Sequence, residues 1–117
     1  MIRLDFCRTI NETRAVKVYF EYALEDLTLL GWASSSTAAA ALNGATVQLV
    51  AGTVTVAGTI VATAIADGVS VLLTFWPPTS LTDVAQDVAY RIVIEPGSVT
   101  SETVPVQGRW VVEPYAT

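Results

Sequence analysis

Side chains suited to catalysis are scarce in this sequence. It contains no histidine, the commonest general base and a common transition-metal ligand. Its single cysteine, Cys7, has no histidine to activate it and no second cysteine for an internal disulfide or a zinc site. A small apolar filler or a partly exposed thiol is the ordinary role of such a residue. A disulfide to a neighbouring subunit is the alternative.

Two pairs of carboxylates are the remaining candidates for acid–base or metal chemistry: Glu25 with Asp26, and Asp83 with Asp87. A glycosidase needs two carboxylates on either side of a sugar cleft, and nothing in the pattern indicates a cleft. A calcium loop needs more oxygen ligands than the two carboxylates and one amide of residues 83–87. The sequence therefore predicts no catalytic residue, no metal site and no cofactor, and we expect the protein not to be an enzyme.

Charge and hydropathy exclude several classes of partner. The net charge of −5 argues against nucleic acid, whose phosphates are neutralised by clustered basic side chains. No segment approaches the roughly 20 apolar residues of a membrane span, and residues 1–6 lack the apolar run of a signal peptide. Of the 117 residues, 52% are hydrophobic and only 15% are charged. A surface so poor in charge predicts that a partner covers part of it; an ordinary small β domain is the alternative.

Basic residues are concentrated at the N-terminus. Residues 1–17 contain four of the six basic side chains and carry a charge of +2, whereas the remainder carries −7. Unless this distribution is chance, it predicts an N-terminal arm that docks on an acidic neighbour, such as another copy of the chain. The interface candidates in this arm are Arg3, Phe6, Arg8 and Arg14. We expect a chain without residues 1–12 to stay folded but to assemble less well.

Alternation with a period of two is the dominant pattern, and it predicts half-buried strands. It is clearest from Val16 to Tyr22, where every second residue is apolar. The predicted strands span residues 15–22, 45–50, 53–56, 60–65, 69–76, 88–95 and 103–113. Turns are predicted at Asn43-Gly44, Asp67-Gly68 and Pro96-Gly97. Strands divided by turns at such short intervals are typical of a sandwich or barrel.

Three segments carry other signals. Four alanines at 38–41, after serines able to cap a helix, have helical propensity and allow one short helical turn in a segment that is otherwise predicted as a loop. Residues 79–87 are polar and predict a loop. Pro105 and Gly108 predict an edge position or a bulge in the last strand. No repeat or linker appears, so we predict an arm or edge strand at 1–14 and a single domain at 15–117.

The three tryptophans lie near strand ends or within strands. Packing of one aromatic side chain into the core of each sheet explains Trp32, Trp76 and Trp110 most simply. The alternative, for Trp32 and Trp76 above all, is an exposed anchor at an interface, where tryptophan is enriched. All three are therefore interface candidates.

The spacing of strands and turns carries a family resemblance. The features are an acidic early strand at 19–26 leading to Gly31-Trp32, a hairpin at 66–69, a strand ending in Phe75-Trp76, and strands at 87–94 and 108–113. From about residue 16 to residue 113 this pattern resembles the immunoglobulin-like domains of tailed-bacteriophage virions, including the fibre–tail adaptor type. The acidic start is diluted and an arm is added, so the fit is one of spacing.

The resemblance implies an all-β, immunoglobulin-like β-sandwich with an N-terminal arm. It also implies a structural protein of the virion that joins or decorates tail, neck or fibre components, made in the host cytoplasm. Its partners would be other virion proteins and copies of itself in a homo-oligomer, with no nucleic acid and no membrane. A head decoration or cement protein and a carbohydrate-binding β-sandwich module remain as alternatives. For strand addition between subunits, the candidates are residues 104–112 and 2–6.

Overall fold

Extended strands dominate the computed structural model, which describes residues 2–29, 31–95 and 103–114. These residues form eight strands, two α-helices and one 3₁₀ turn. The strands are β1 Ile2–Arg3, β2 Phe6–Thr9, β3 Val16–Ala23, β4 Thr46–Ala51, β5 Val54–Ile65, β6 Gly68–Phe75, β7 Gln86–Glu95 and β8 Thr103–Glu113. The helices are α1 Leu24–Leu29 and α2 Ser35–Asn43, and the 3₁₀ turn is Thr79–Leu81. The prediction of an all-β fold is confirmed.

The strands form one curled, mixed sheet. Its order is β1-β8-β7-β4-β5-β6-β3, and β2 also pairs with β8. All neighbours are antiparallel except β1 and β2, which run parallel to β8. Among the described residues, the two borders of the sheet are therefore the β1–β2 segment at one end and β3 at the other.

Alternate side chains fill a single core. In β3 the residues Val16, Val18 and Phe20 are buried while the residues between them are exposed, as the alternation predicts. The same holds in β4, where Val47 and Leu49 are buried. Side chains from both ends of the curled sheet and from the two helices belong to one hydrophobic cluster. Each fully buried aliphatic side chain of this kind contributes roughly 1.5–3 kcal/mol.

One long strand, β5, joins the two halves of the sheet. Its first part, residues 54–57, pairs with β4, and its second part, residues 58–65, pairs with β6. The strand changes partners at Gly58, where a Cβ atom would stand 2.5 Å from the ring of Phe75. The sequence prediction of two separate strands divided by Gly58 is therefore wrong, because this glycine permits a close crossing instead of ending the strand.

For the last strand the sequence predicts an edge position or a bulge, and the structure has an irregularity of the second kind. A shift of register occurs between Ile92 and Ile94 of β7, whose partners in β8 are Val106 and Thr103. The extra residue in β8 is the predicted bulge, and Pro105 lies within it. The edge position does not apply, because β8 has β7 on one side and β1 and β2 on the other; the prediction that residues 104–112 offer a border for strand addition is therefore wrong. The turn predicted at Pro96-Gly97 lies outside the described residues.

The connection between β3 and β4 is more helical than the sequence predicts. α2 is nine residues long rather than a single turn, and Ser34 caps it by accepting a 3.2 Å hydrogen bond from the backbone N–H of Thr37. Asn43, predicted to lie in a turn, is the last residue of this helix. Short α1 follows β3 directly and buries Leu27.

Asn43 acts as a substitute for a neighbouring strand. Its side-chain Nδ2 donates to the carbonyl of Ala62 in β5, and its Oδ1 accepts from the N–H of the same residue, both at 2.8 Å. Replacing Asn43 with alanine leaves both backbone groups of the buried Ala62 without this partner. We expect a loss of about 2 kcal/mol in the free energy of unfolding, measured by urea titration.

Asn43→Asp gives a stricter test, because a carboxylate can accept from the Ala62 N–H but cannot donate to its carbonyl. We expect it to be at least as destabilising at neutral pH as the alanine variant. The control is Gln48→Ala, an exposed polar residue of β4, which should change stability by no more than about 0.5 kcal/mol. Equal stability of the Asn43 and Gln48 variants would contradict the role assigned to Asn43.

Candidate assembly surfaces

The N-terminal arm lies on its own domain as a border strand. β1 pairs with β8 from Ile2 opposite Val106, and β2 continues in the same register from Phe6 opposite Trp110. The N–H of Leu4, between the two strands, also donates to the carbonyl of Gln107, at 3.0 Å. The arm that the sequence predicts to reach a neighbour is thus hydrogen-bonded within the chain along most of its length.

The arm is interrupted at Leu4 and Asp5, where side chains replace strand pairing. A carboxylate oxygen of Asp5 accepts from the backbone N–H of Arg109 at 2.9 Å, and the hydroxyl of Tyr90 donates to the carbonyl of Leu4. Burial, and to a lesser degree the charge of Asp5, raises the pKa of Tyr90 above its usual range. The hydroxyl therefore keeps its proton and remains a donor to the arm.

Arg8 fixes the end of the arm. Its side chain is 9% exposed and its guanidinium lies 5.5 Å from the centre of the Trp110 ring. It donates to the carbonyls of Glu12 at 3.3 Å and Arg14 at 2.5 Å, and contacts the Glu12 carboxylate at 3.2 Å. Burial lowers the pKa of Arg8, opposed by the charge of Glu12. This interface candidate is therefore occupied inside the chain.

The other cations of the arm remain exposed. Arg3 contacts the carboxylate of Asp5 at 3.7 Å, and Arg14 contacts that of Glu12 at 3.3 Å. Their side chains are 71% and 82% exposed, so these contacts contribute little stability and leave both guanidinium groups accessible to a partner. Among the cations of the predicted docking arm, Arg3 and Arg14 are the two that the structure leaves free for that role.

Phe6 of the arm packs against two aromatic rings of the domain, in tilted contacts with interplanar angles of 50° and 54°. Phe6 is half-buried, with its ring centre 5.3 Å from that of Tyr90 and 5.7 Å from that of Trp110. Trp110 is fully buried, and its indole N–H donates to the carbonyl of Leu81 at 3.0 Å. Trp110 therefore takes the packing role, and Phe6 is engaged by its own domain rather than presented to a neighbour.

The remaining tryptophans differ sharply in exposure. Trp32 is only 4% exposed and belongs to the core, so it offers no platform to a partner or a sugar. Trp76 is 61% exposed at the end of β6, next to Pro77. Of the three tryptophan candidates, Trp76 is the one available as an anchor.

An exposed apolar row crosses the face of the sheet formed by β3, β6 and β5. Tyr19 lies opposite Leu72, and Leu72 lies opposite Val61, so the three side chains adjoin across three strands. They are 64%, 37% and 58% exposed, respectively. The sequence places Tyr19 on the face opposite Val18 and Phe20, but the pairing that brings Leu72 and Val61 beside it follows from topology.

Chemistry beyond packing is limited on these surfaces. Cys7 is exposed on β2, and a hydrogen bond to Glu113 raises its pKa, which lowers the fraction of reactive thiolate. Asp87 is engaged by Arg109 at 2.8 Å. Among the described residues no cluster of three or more potential metal ligands occurs, and no helix is long and apolar enough to cross a membrane.

Comparisons of the chain with protein-family models, with curated proteins and with solved structures found no match. The strand order and the exposed surfaces described above are therefore the observations that bear on function.

Proposed function

We propose that this chain is a structural protein of a tailed-phage virion, a small β-sandwich adaptor that joins or decorates tail, neck or fibre components. In this role it binds other virion proteins and copies of itself, and it catalyses no reaction. Decoration of the head is the neighbouring alternative within the same class of function.

The exposed row of Tyr19, Leu72 and Val61 is the observation that carries the proposal. A sheet face that borders water usually exposes polar side chains. On this face one row across all three strands is apolar instead. Exposed apolar surface of this kind marks protein interaction sites. Leu29 and Trp76, 85% and 61% exposed, add further apolar surface.

The strand order supports the immunoglobulin-like part of the proposal. In immunoglobulin domains the second, fifth and fourth strands form one sheet, and the third, sixth and seventh form the other. Counting the arm as the first strand, β3, β6 and the second part of β5 match the former set, while β4, β7 and β8 match the latter. In this correspondence β5 supplies a strand to both sheets.

The virion setting rests on the resemblance in strand and turn spacing over residues 16–113. Low charge is compatible with it, because a part present in many contacting copies has less surface to keep solvated. A carbohydrate-binding module would use Trp32 or Trp76 as a stacking platform for a sugar ring; Trp32 is buried, which leaves Trp76 as the candidate for that alternative.

Purification of tailed particles from cells that carry the gene tests this role. We expect quantitative mass spectrometry to find the chain at a fixed number of copies per particle through successive density gradients. Electron microscopy with a bound antibody fragment should place it at one position on the tail, neck or head. Particles that lack the chain, or carry it at a number that falls with each gradient, would contradict the proposal.

A further inference from the structure

We propose that two copies of this chain associate through β3, whose free borders pair antiparallel about a twofold axis at Tyr19. The inference deepens the proposed structural role, on which it rests, by naming a partner and a register. Among the described residues β3 pairs with β6 alone, and its other border has no neighbouring strand. The segment is eight residues long without a bulge, which is the kind of border that recruits another strand.

A hydrogen bond just beyond the strand identifies which residues face the free border. The N–H of Leu24 donates to the carbonyl of Asp67 at 2.9 Å, in the same register as the β3–β6 ladder. In an antiparallel ladder, bonded pairs alternate with non-bonded pairs. The even-numbered residues of β3 therefore bond to β6, and the backbone groups of Lys17, Tyr19 and Glu21 point to the free border.

Charge selects one register for the pair of β3 strands. With Tyr19 opposite Tyr19 of the second copy, Lys17 lies opposite Glu21 of the second copy, and the reverse pair forms by symmetry. Other antiparallel registers that pair outward-facing residues set like charges together or leave both charges without an opposite partner. The selected register also overlaps nearly the whole of β3 and forms about six inter-strand hydrogen bonds.

The same register also brings the apolar row of one copy next to the apolar row of the other. Tyr19 ends the row of Tyr19, Leu72 and Val61 at the free border. Pairing at Tyr19 joins this row to its copy, so that one apolar stripe crosses six strands. The Tyr19 hydroxyl donates to the Glu21 carboxylate at 3.1 Å, and that carboxylate retains lone pairs for Lys17 of the second copy.

The opposite border of the sheet is less suited to strand addition. β1 has two residues and β2 has four, and the two are separated at Leu4 and Asp5. There the Asp5 side chain bonds to β8 in place of a regular backbone ladder. Short, interrupted borders are a common means by which proteins prevent edge pairing. Of the two borders, β3 is therefore the one open to a second copy.

Reversal of charge in β3 tests the register. Lys17→Glu places four carboxylates at the twofold contact, and Glu21→Lys places four ammonium groups there. We expect each variant to weaken dimerisation roughly tenfold relative to the unaltered chain, measured by sedimentation velocity over a concentration series. The matched controls are Arg91→Glu and Glu95→Lys, which make similar charge changes at exposed positions of β7 and should dimerise as the unaltered chain does.

Mixing the two β3 variants distinguishes loss of the specific contact between residues 17 and 21 from nonspecific electrostatic repulsion between the chains. The Lys17→Glu chain should pair with the Glu21→Lys chain, since their combination restores both opposite-charge contacts. The double variant with both changes should likewise recover homodimers. Native mass spectrometry of the mixture, with one chain isotope-labelled, counts the mixed species. Three results would overturn the inference: an unaltered chain that is monomeric, variants that dimerise as well as the unaltered chain, or a mixture without heterodimers. A monomeric unaltered chain would indicate that Lys17 prevents strand addition at this border.

The two proposals fail in different ways. A chain found at fixed copy number in particles but monomeric when purified would keep the virion role and remove the β3 contact. A chain that dimerises with the predicted charge dependence but is absent from particles would keep the contact and remove the virion role.

Discussion

Replacing Trp110 with alanine is expected to lower the free energy of unfolding by about 4 kcal/mol. The side chain is fully buried, and it lies beneath Phe6 and the Arg8 guanidinium. Its removal creates a large cavity under the arm. It also takes the indole donor away from the carbonyl of Leu81. Urea titration followed by circular dichroism measures the change.

Trp76→Ala is the matched control, because it removes the same side chain from an exposed position. We expect it to change the free energy of unfolding by no more than about 0.5 kcal/mol. If the two variants were equally stable, or Trp76→Ala were the more damaging, the placement of Trp110 at the centre of the core would be wrong.

Gly108→Val is expected to release the N-terminal arm from β8. A Cβ atom at this position would overlap the carbonyl oxygen of Leu4, a backbone atom that cannot give way while the arm stays in register. Release uncovers the face of Trp110 and removes the acceptors of the Tyr90 hydroxyl and of the Arg109 backbone N–H. We expect a loss of roughly 3 kcal/mol in stability, together with rapid hydrogen exchange across β2.

Deletion of residues 1–12 should lower the free energy of unfolding by a similar amount, since it removes Phe6, Arg8 and the Glu12 carboxylate at once. This outcome differs from the sequence-based expectation of an arm that can be lost without cost to the fold. Gly44→Ala is the control: the nearest atom to its Cβ is the carbonyl oxygen of Ala41, at 3.7 Å, so stability should change little. Protected amides in β2 of the Gly108→Val chain would show that the arm tolerates the overlap.

Local alternation predicted the strands and their buried faces well, because each such strand repeats its polarity every two residues. In β3 the apolar set of Val16, Val18 and Phe20 leaves no other register against the core. The continuity of β5 could not be predicted in the same way. The sequence around Gly58 is the same whether the chain turns there or continues as one strand. The close approach of the Phe75 ring, from a strand later in the chain, is visible only in the fold.

The position of the N-terminal arm could not be predicted from local sequence pattern either. Residues 2–9 have a charge contrast with the body and an alternation of polarity, but their pairing with β8 joins positions more than 100 residues apart. The burial of Arg8 depends on Trp110 and on carbonyls presented by residues 12 and 14. The burial of Trp32 was equally beyond local pattern, because this residue lies between Gly31 and Ala33, outside any predicted strand, and only the fold places it in the core.

The shared strand β5 has a consequence for how the molecule responds to load. Force that enters through β3 reaches β8 along the ladders β3–β6, β6–β5, β5–β4, β4–β7 and β7–β8, with no flexible linker in series among the described residues. Neither half of the sheet can separate from the other without breaking hydrogen bonds of β5, the strand that pairs with both halves. We therefore expect the sheet to transmit tension between its two borders as a single unit and to unfold under force in one cooperative step.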